Sequence, residues 1–238
     1  MLNRTTETEI SEIFSSLQGE GPYLGVPQIF IRFGRCNMHC GYCDEADKMK
    51  EEAFSRYTLD SLIRQIETLE AAKGPHHSVS LTGGEPLFYA AFLEALLPEM
   101  KKRGWRTYLE TNGTLPRELG RVIRWCDIIA MDLKPASSTG ERDFEKEHEA
   151  FLKTALQSEV FVKVVVTPDT LAEEMDRLVA LVERVNPTIP FIFQPLSDPI
   201  GINSQALARI EREFYPSAAR RLSDVRVIPQ MHKIWGVP

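Results

Sequence analysis

Pro27-Gln28-Ile29-Phe30-Ile31-Arg32-Phe33, followed at once by Gly34-Arg35-Cys36-Asn37-Met38-His39-Cys40-Gly41-Tyr42-Cys43-Asp44, decides how the rest of the chain is read. The first half is rich in isoleucine and phenylalanine and reads as a strand. The second half holds three of the chain's four cysteines within eight residues, at that strand's C-terminal end. Three thiolates spaced CxxxCxxC on a loop can ligate three irons of a cubic iron-sulfur cluster, whereas a closed cluster or a structural zinc site wants four ligands. An iron without a protein ligand is an open coordination position, and open positions are where metals do chemistry.

Working outward, the strand-loop-helix unit recurs. Leu59, Leu62, Ile63, Ile66 and Leu69 follow helical spacing up to Lys73-Gly74-Pro75. A strand over 78–81, the turn Thr82-Gly83-Gly84-Glu85-Pro86 and a helix over 87–102 make the next unit. Further strands are expected over 105–110, 128–133, 160–166 and 191–196, with helices over 117–125 and 171–185, the latter with Leu171, Met175, Leu178, Val179, Val182 and Val185 on one face. Alternating strands and helices pair parallel through right-handed crossovers, so the expected fold is α/β: a partial (β/α)6 barrel of parallel strands with flanking helices. Ahead of it lies a polar arm leading into a glycine-bearing loop over 15–22; behind it lie a helix over 205–214, an edge strand over 225–228 and a tail that ends the 225–238 segment. The charged stretch 44–56 reads as irregular.

At 238 residues, 43% hydrophobic and 26% charged, the chain has the material for one core and one domain, 1–238. The net charge of −6 is spread over mixed-sign helices, which argues against nucleic acid or an anionic membrane and for a small ligand. No window approaches the roughly 18 continuous apolar residues of a membrane span, and the polar N-terminus does not read as a signal peptide. Cysteines clustered three plus one make a poor disulfide framework, so a cytoplasmic, reducing setting is expected.

In α/β folds ligands collect at the C-terminal ends of parallel strands, so the loops after successive strands form one site. These carry Cys36, Cys40 and Cys43; Thr82-Gly83-Gly84-Glu85-Pro86; Thr111-Asn112-Gly113; Asp132-Leu133-Lys134-Pro135-Ala136-Ser137-Ser138; and Gln194-Pro195. A zinc knuckle completed by Cys126 or His39 is the plain alternative for the thiols, although Cys126 reads better as a core thiol. Arg32, inside an apolar strand, needs a partner. Glu147, His148 and Glu149 read as a solvated helix face.

The CxxxCxxC loop with an aromatic residue before its last cysteine, together with Gly83-Gly84-Glu85-Pro86 on the next unit, resembles the radical S-adenosylmethionine (SAM) superfamily. That resemblance implies a [4Fe-4S] cluster on Cys36, Cys40 and Cys43, SAM on the open iron, and a 5'-deoxyadenosyl radical. It implies SAM contacts at Tyr42, Asp44, Gly84, Glu85, Asn112, Asp132, Leu133, Lys134, Ser137 and Gln194.

A closer resemblance rests on Glu12-Ile13-Phe14-Ser15-Ser16-Leu17-Gln18-Gly19-Glu20-Gly21, Gly25-Val26-Pro27, Cys43-Asp44, Lys134-Pro135-Ala136-Ser137-Ser138 and Pro229-Gln230-Met231-His232-Lys233. These are similar to the 7-carboxy-7-deazaguanine synthase family, which ring-contracts 6-carboxy-5,6,7,8-tetrahydropterin with loss of ammonia on the route to queuosine. The resemblance implies pterin contacts at Leu17, Gln18, Gly19, Arg32, Thr82, His232 and the terminal carboxylate of Pro238. It also implies a flavodoxin or ferredoxin as electron donor, and a homodimer. Where the family usually has Thr or Ser as a Mg2+ ligand this chain has Glu45, a carboxylate that also suits magnesium. Two other readings compete: an activator of a glycyl-radical enzyme, with a protein as its partner, and a cluster- or zinc-binding protein without turnover.

Overall fold

The computed structural model describes residues 7–44, 54–198 and 200–237. In chain order, β1 (Glu7–Leu17), β2 (Pro27–Phe33) and β3 (Ser55–Thr58) precede α1 (Leu59–Lys73). Strands and helices then alternate through β4 (Ser78–Gly83), α2 (Ala90–Lys102), β5 (Thr107–Thr111), α3 (Pro116–Val122), β6 (Ile128–Leu133), α4 (Ala136–Thr139), α5 (Glu145–Ala155), β7 (Glu159–Val166), α6 (Ala172–Val185) and β8 (Phe191–Pro195). A hairpin of β9 (Ser197–Asp198) and β10 (Gly201–Ile202) leads to α7 (Ser204–Arg209), α8 (Tyr215–Ala218), β11 (Val225–Val227) and α9 (Met231–Trp235).

One sheet runs β11-β8-β7-β6-β5-β4-β2-β1-β3. From β11 to β2 every neighbouring pair is parallel, whereas β1 is antiparallel to both β2 and β3. The end strands β11 and β3 are not bonded to each other, so the curled sheet is an open, partial barrel.

Strand alternation sorts the side chains into two compartments. Ile29, Ile31 and Phe33 of β2, Val79 and Leu81 of β4, Ile129, Met131 and Leu133 of β6, and Val162, Val164 and Val166 of β7 join the helices in the main core. The opposite parity faces the inside of the curl. There Tyr108, Ile128, Ala130, Phe161 and Ile192 pack with Tyr23 and Ile228 into an apolar floor. Beyond that floor, toward the C-terminal ends of the strands, the same parity changes to Arg32, Thr82, Glu110, Asp132, Lys163 and Gln194, which line a cavity.

Several expectations change. Ser15–Leu17, expected as loop, belongs to β1, where Ser15 pairs with Ile29 and Leu17 with Pro27; only the stretch after Leu17 turns. The segment expected to be irregular through residue 56 gives Ser55 and Arg56 to β3. Leu171 caps α6 and is exposed, so the buried face of that helix begins at Met175. His148 is not on a solvated face: its spacing with Phe151, Leu152 and Ala155 puts it on the buried side of α5.

Candidate active site

Two glycines bring the loops after β2 and β4 into contact. Gly83 has φ +114°, and a Cβ on it would lie 2.4 Å from the Phe33 carbonyl oxygen. At Gly84 a Cβ would sit 2.2 Å from the Arg35 carbonyl oxygen and 2.9 Å from the Cys36 nitrogen. Bare backbone here lets the Glu85 N–H donate to the Arg35 carbonyl at 2.7 Å. The Glu85 carboxylate, fully buried, accepts from the backbone N–H groups of Leu87 (3.0 Å) and Asn112 (2.8 Å) and from the Thr111 hydroxyl (2.9 Å). Burial nevertheless outweighs those bonds and raises it to about 7. Glu85 thus ties the third strand-end loop to the second.

Cys36, Cys40 and Cys43 all line one cavity of about 360 Å³. The Asn112 amide points at the Cys36 sulfur at 3.9 Å and donates to Asn37 Oδ1 at 2.9 Å. Burial, then the charge on Glu85, pushes the Cys36 thiol up to about 12, and burial raises Cys40 despite the opposing charge of Lys134. Thiols this reluctant to ionise lose their protons on metal binding rather than before it. Three thiols on one wall, an amide directed at one of them, and a glycine cradle behind fit a cluster held by three ligands. The zinc alternative fits less well. Cys126 lies at the far, N-terminal end of β6, bonded to the Val122 carbonyl, and His39 is exposed. Among the described residues no three His, Cys, Asp or Glu side chains converge to hold a single ion.

Charge runs across the cavity as a chain of pairs. Lys134 donates to Asp132 at 2.8 Å and lies 5.2 Å from the centre of the Tyr42 ring. Lys163 stands between Asp132 (3.7 Å) and Glu20, with which it forms a close ion pair. Burial alone would raise Glu20; Lys163, then His232, overcome it and hold the carboxyl at about 2. On the β5 wall, Glu110 accepts from Gln18 (2.9 Å), Ser80 (3.1 Å) and Thr82 (2.8 Å). It is therefore a fixed acceptor inside the curl. Arg32 finds its expected partner in Glu12, 3.1 Å away, and stacks over Phe14.

Of the residues expected at the site, the cavity brings together Leu17, Gln18, Gly19, Arg32, the three cysteines, Tyr42, Asp44, Thr82, Gly84, Asn112, Asp132, Lys134, Gln194 and His232. Three expected residues do not line it. Glu85 is turned into the loop bonds described above, and Leu133 has the wrong parity and points into the helix-side core. Ser137 is taken up by Glu174, which accepts from its N–H (2.9 Å) and hydroxyl (2.5 Å). Glu45 and Pro238 lie outside the described residues. Residues not singled out from sequence include Glu20, Glu110, Lys163, Gln230 and Lys233. Lys163 had a legible signal, a lone cation in the strand Glu-Val-Phe-Val-Lys-Val-Val-Val. Glu110 had a similar one, an acid within the strand Thr107–Thr111, and Glu20, Gln230 and Lys233 stood within the stretches that carry the family resemblance.

A fold of this kind with such a loop defines a class, and comparison with known proteins agrees: the family model for the radical SAM superfamily matches residues 30–138. The 7-carboxy-7-deazaguanine synthase of Geobacter sulfurreducens is 38% identical, over 96% of this chain and 97% of that one. That of Methanothermobacter thermautotrophicus is 36% identical, over the same shares of the two chains. The chain belongs to the 7-carboxy-7-deazaguanine synthase family. The crystal structure of QueE from Escherichia coli superposes with a TM-score of 0.65, covering 95% of each chain at 20% identity, which speaks for the fold. Radical SAM enzymes carry a [4Fe-4S] cluster and SAM, and the chain inherits both with its family.

Proposed function

We propose that this cavity converts 6-carboxy-5,6,7,8-tetrahydropterin to 7-carboxy-7-deazaguanine and ammonia. The observation that carries the reading is that the three cluster thiols share one cavity with Gln18-Gly19-Glu20, Arg32 and the tail residue His232. When bound, the cluster and SAM supply the 5'-deoxyadenosyl radical that takes a hydrogen atom from the pterin. The residues here do the holding. Tyr42, Asp44, Gly84, Asn112, Asp132, Lys134 and Gln194 line the cavity with the thiols, and buried Asp132 Oδ1 and Gln194 Oε1, which have no hydrogen-bond partner among the described residues, suit the hydroxyl and ammonium donors of SAM. Leu133 is left with a backbone role, and Ser137 and Glu85 with supporting ones.

On the pterin side, Arg32 offers a guanidinium to the substrate carboxylate. Glu110, already organised by Gln18, Ser80 and Thr82, presents carboxylate oxygens to the N–H donors of an aminopyrimidinone ring. Gln18 and Thr82 therefore act through Glu110, while Leu17, Gly19 and His232 complete the wall. The Pro238 carboxylate and a Mg2+ ion on Glu45 belong to the same reading. EDTA-treated protein assayed with and without Mg2+ tests the second. A flavodoxin or ferredoxin as reductant, a homodimer and a cytoplasmic setting complete the proposal; among the described residues no helix is long and apolar enough to cross a membrane.

Anaerobic reconstitution, reduction, and measurement of 5'-deoxyadenosine and ammonia with and without the pterin tests the whole. Pterin-dependent ammonia release supports it. SAM cleavage without pterin turnover points instead to an activator of another protein. An intact, reduced cluster that never cleaves SAM points to a protein without turnover.

A further inference from the structure

The C-terminal helix α9 buries none of its five residues, and Ile234 and Trp235 are exposed. A helix that short has no stability of its own in water, and this one has no apolar face sunk into the core to hold it. Polar bonds hold it instead, and they converge on two places. The Met231 N–H donates to the Gly19 carbonyl at 2.9 Å, and His232 lies so close that a Cβ on Gly19 would come within 2.8 Å of the His232 nitrogen. Gln230, buried just before the helix, donates to Glu20 at 3.0 Å and to Asp44 at 3.2 Å. Lys233 makes three bonds with its ammonium: to the Asp44 carboxylate at 3.0 Å, the Ser197 carbonyl at 2.8 Å and Gln230 Oε1 at 2.8 Å. Asp44 is the residue directly after the last cluster cysteine. One side chain of the tail therefore joins the end of the cluster loop to a segment that lines the same cavity.

We propose that Lys233 is a positioning residue that fastens α9 to the cluster loop through Asp44, so that ordering Cys36–Asp44 around the cluster and docking the tail over the cavity are one coupled event. Cys43 directly precedes Asp44, so fixing its thiol on a cluster narrows where Asp44 can lie. Apart from its thiols, the loop is held by a Gly41 N–H to the Thr139 carbonyl (2.8 Å), a His39 N–H to Glu141 (2.5 Å), the Asn37 side chain on Thr114 (2.8 Å) and Asn112 (2.9 Å), Tyr42 on Lys134 (3.3 Å) and the buried Met38. Coupling of this kind is reciprocal: whatever the cluster contributes to tail docking, the docked tail returns to cluster retention.

Amide hydrogen exchange read by mass spectrometry on α9 peptides, in cluster-loaded and cluster-free protein without pterin, tests this independently of the substrate assignment. Removing the cluster should speed exchange in α9 by about 5-fold or more, the low end of ordinary site-to-site coupling. In Lys233→Met, α9 should exchange fast whether or not the cluster is present, and iron should be lost to a competing chelator more readily by a similar factor. Lys233→Arg, which keeps a cation in reach of Asp44, should restore part of both effects. Slow exchange in the β6 and β7 peptides of every variant verifies that the fold is intact. Equal α9 exchange in loaded and cluster-free wild type would overturn the proposal, as would a cluster-dependent difference that survives in Lys233→Met.

Discussion

Lys163→Met removes the one ammonium between Glu20 and Asp132 while keeping most of the side chain's volume. Asp132 still has Lys134 at 2.8 Å, so the residue that loses its main counter-charge is Glu20, left with His232 at 4.0 Å and the amides of Gln194 and Gln230. Breaking a buried ion pair from one side costs about 3–5 kcal/mol, because the remaining charge stays buried without its partner. The shifted carboxyl gives an independent figure. Glu20 is held at about 2 against an ordinary 4.5, and a difference of that size is worth about 3 kcal/mol at neutral pH. For a chain of 238 residues, these losses lower the melting midpoint by about 6–20 °C.

The sign of the pH dependence follows. In the wild type the depressed Glu20 contributes stability above pH 4.5 and loses it as pH falls through about 2. In Lys163→Met the largest influence opposing burial is gone, the Glu20 carboxyl rises, and the variant gains stability as pH falls through that raised value. The deficit should therefore be widest at pH 8 and narrow toward pH 5. Calorimetric melts of cluster-free, reduced protein across that range measure it directly. The double variant Glu20→Gln/Lys163→Met, with neither charge, should recover more than half of the loss. A midpoint within about 2 °C of wild type, a deficit that does not change with pH, or a double variant no better than the single one would refute the reasoning.

Gly84→Ala should cost more than half of the bound iron, since its methyl meets the Arg35 carbonyl oxygen at 2.2 Å and backbone cannot rotate away; Gly120→Ala, in α3 with nothing within 4 Å, should leave iron content unchanged. Cys126→Ala should likewise load a full cluster by iron and sulfide assay, because its thiol sits in the helix-side core. His148 donates from Nε2 to the Asn112 carbonyl at 3.1 Å, leaving Nδ1 without a partner among the described residues, and burial lowers it to about 4. A lowered histidine contributes stability above its unfolded value of 6.5 and loses it as pH falls toward 4, up to about 3 kcal/mol. The pH dependence of urea unfolding should therefore be flatter over that interval in His148→Phe than in wild type.

What could be read ahead of the structure divides by range. The parallel strands, the cysteine loop and the glycine pair are local patterns of period or spacing, and they stand where the chain placed them. β1 was missed although Ile10 and Ile13-Phe14 mark it, because Ser15-Ser16 and the glycines that follow are turn formers, and a strand at the flank of the sheet is only half-buried and so lacks a clean alternation. His148 was misread for a related reason. Its neighbours Glu147 and Glu149 suggest solvent, yet the interval to Phe151, Leu152 and Ala155 is the stronger evidence, since a helix face is set by steps of three and four, not by adjacent residues.

The electrostatics of the site form a different category. Lys163 stands out in its strand, but its partner Glu20 is 143 residues away, and Glu20's further donors Gln194 and Gln230 are 174 and 210 away. No period links them. They meet because the parity of β7 turns Lys163 inward, the turn after β1 enters the same curl, and the chain around α9 brings Gln230 and His232 to the same lining. Each of these placements requires the assembled sheet. This also explains why composition said little about the pocket: a net charge of −6 describes the surface, while inside the curl the ammonium groups of Lys134 and Lys163 stand against Asp132 and Glu20 nearly one for one. A charged substrate entering there meets these pairs and Glu110, which is held by neutral donors, so selectivity in the site has to come from which pair it displaces or bridges and what it offers Glu110, not from an overall field.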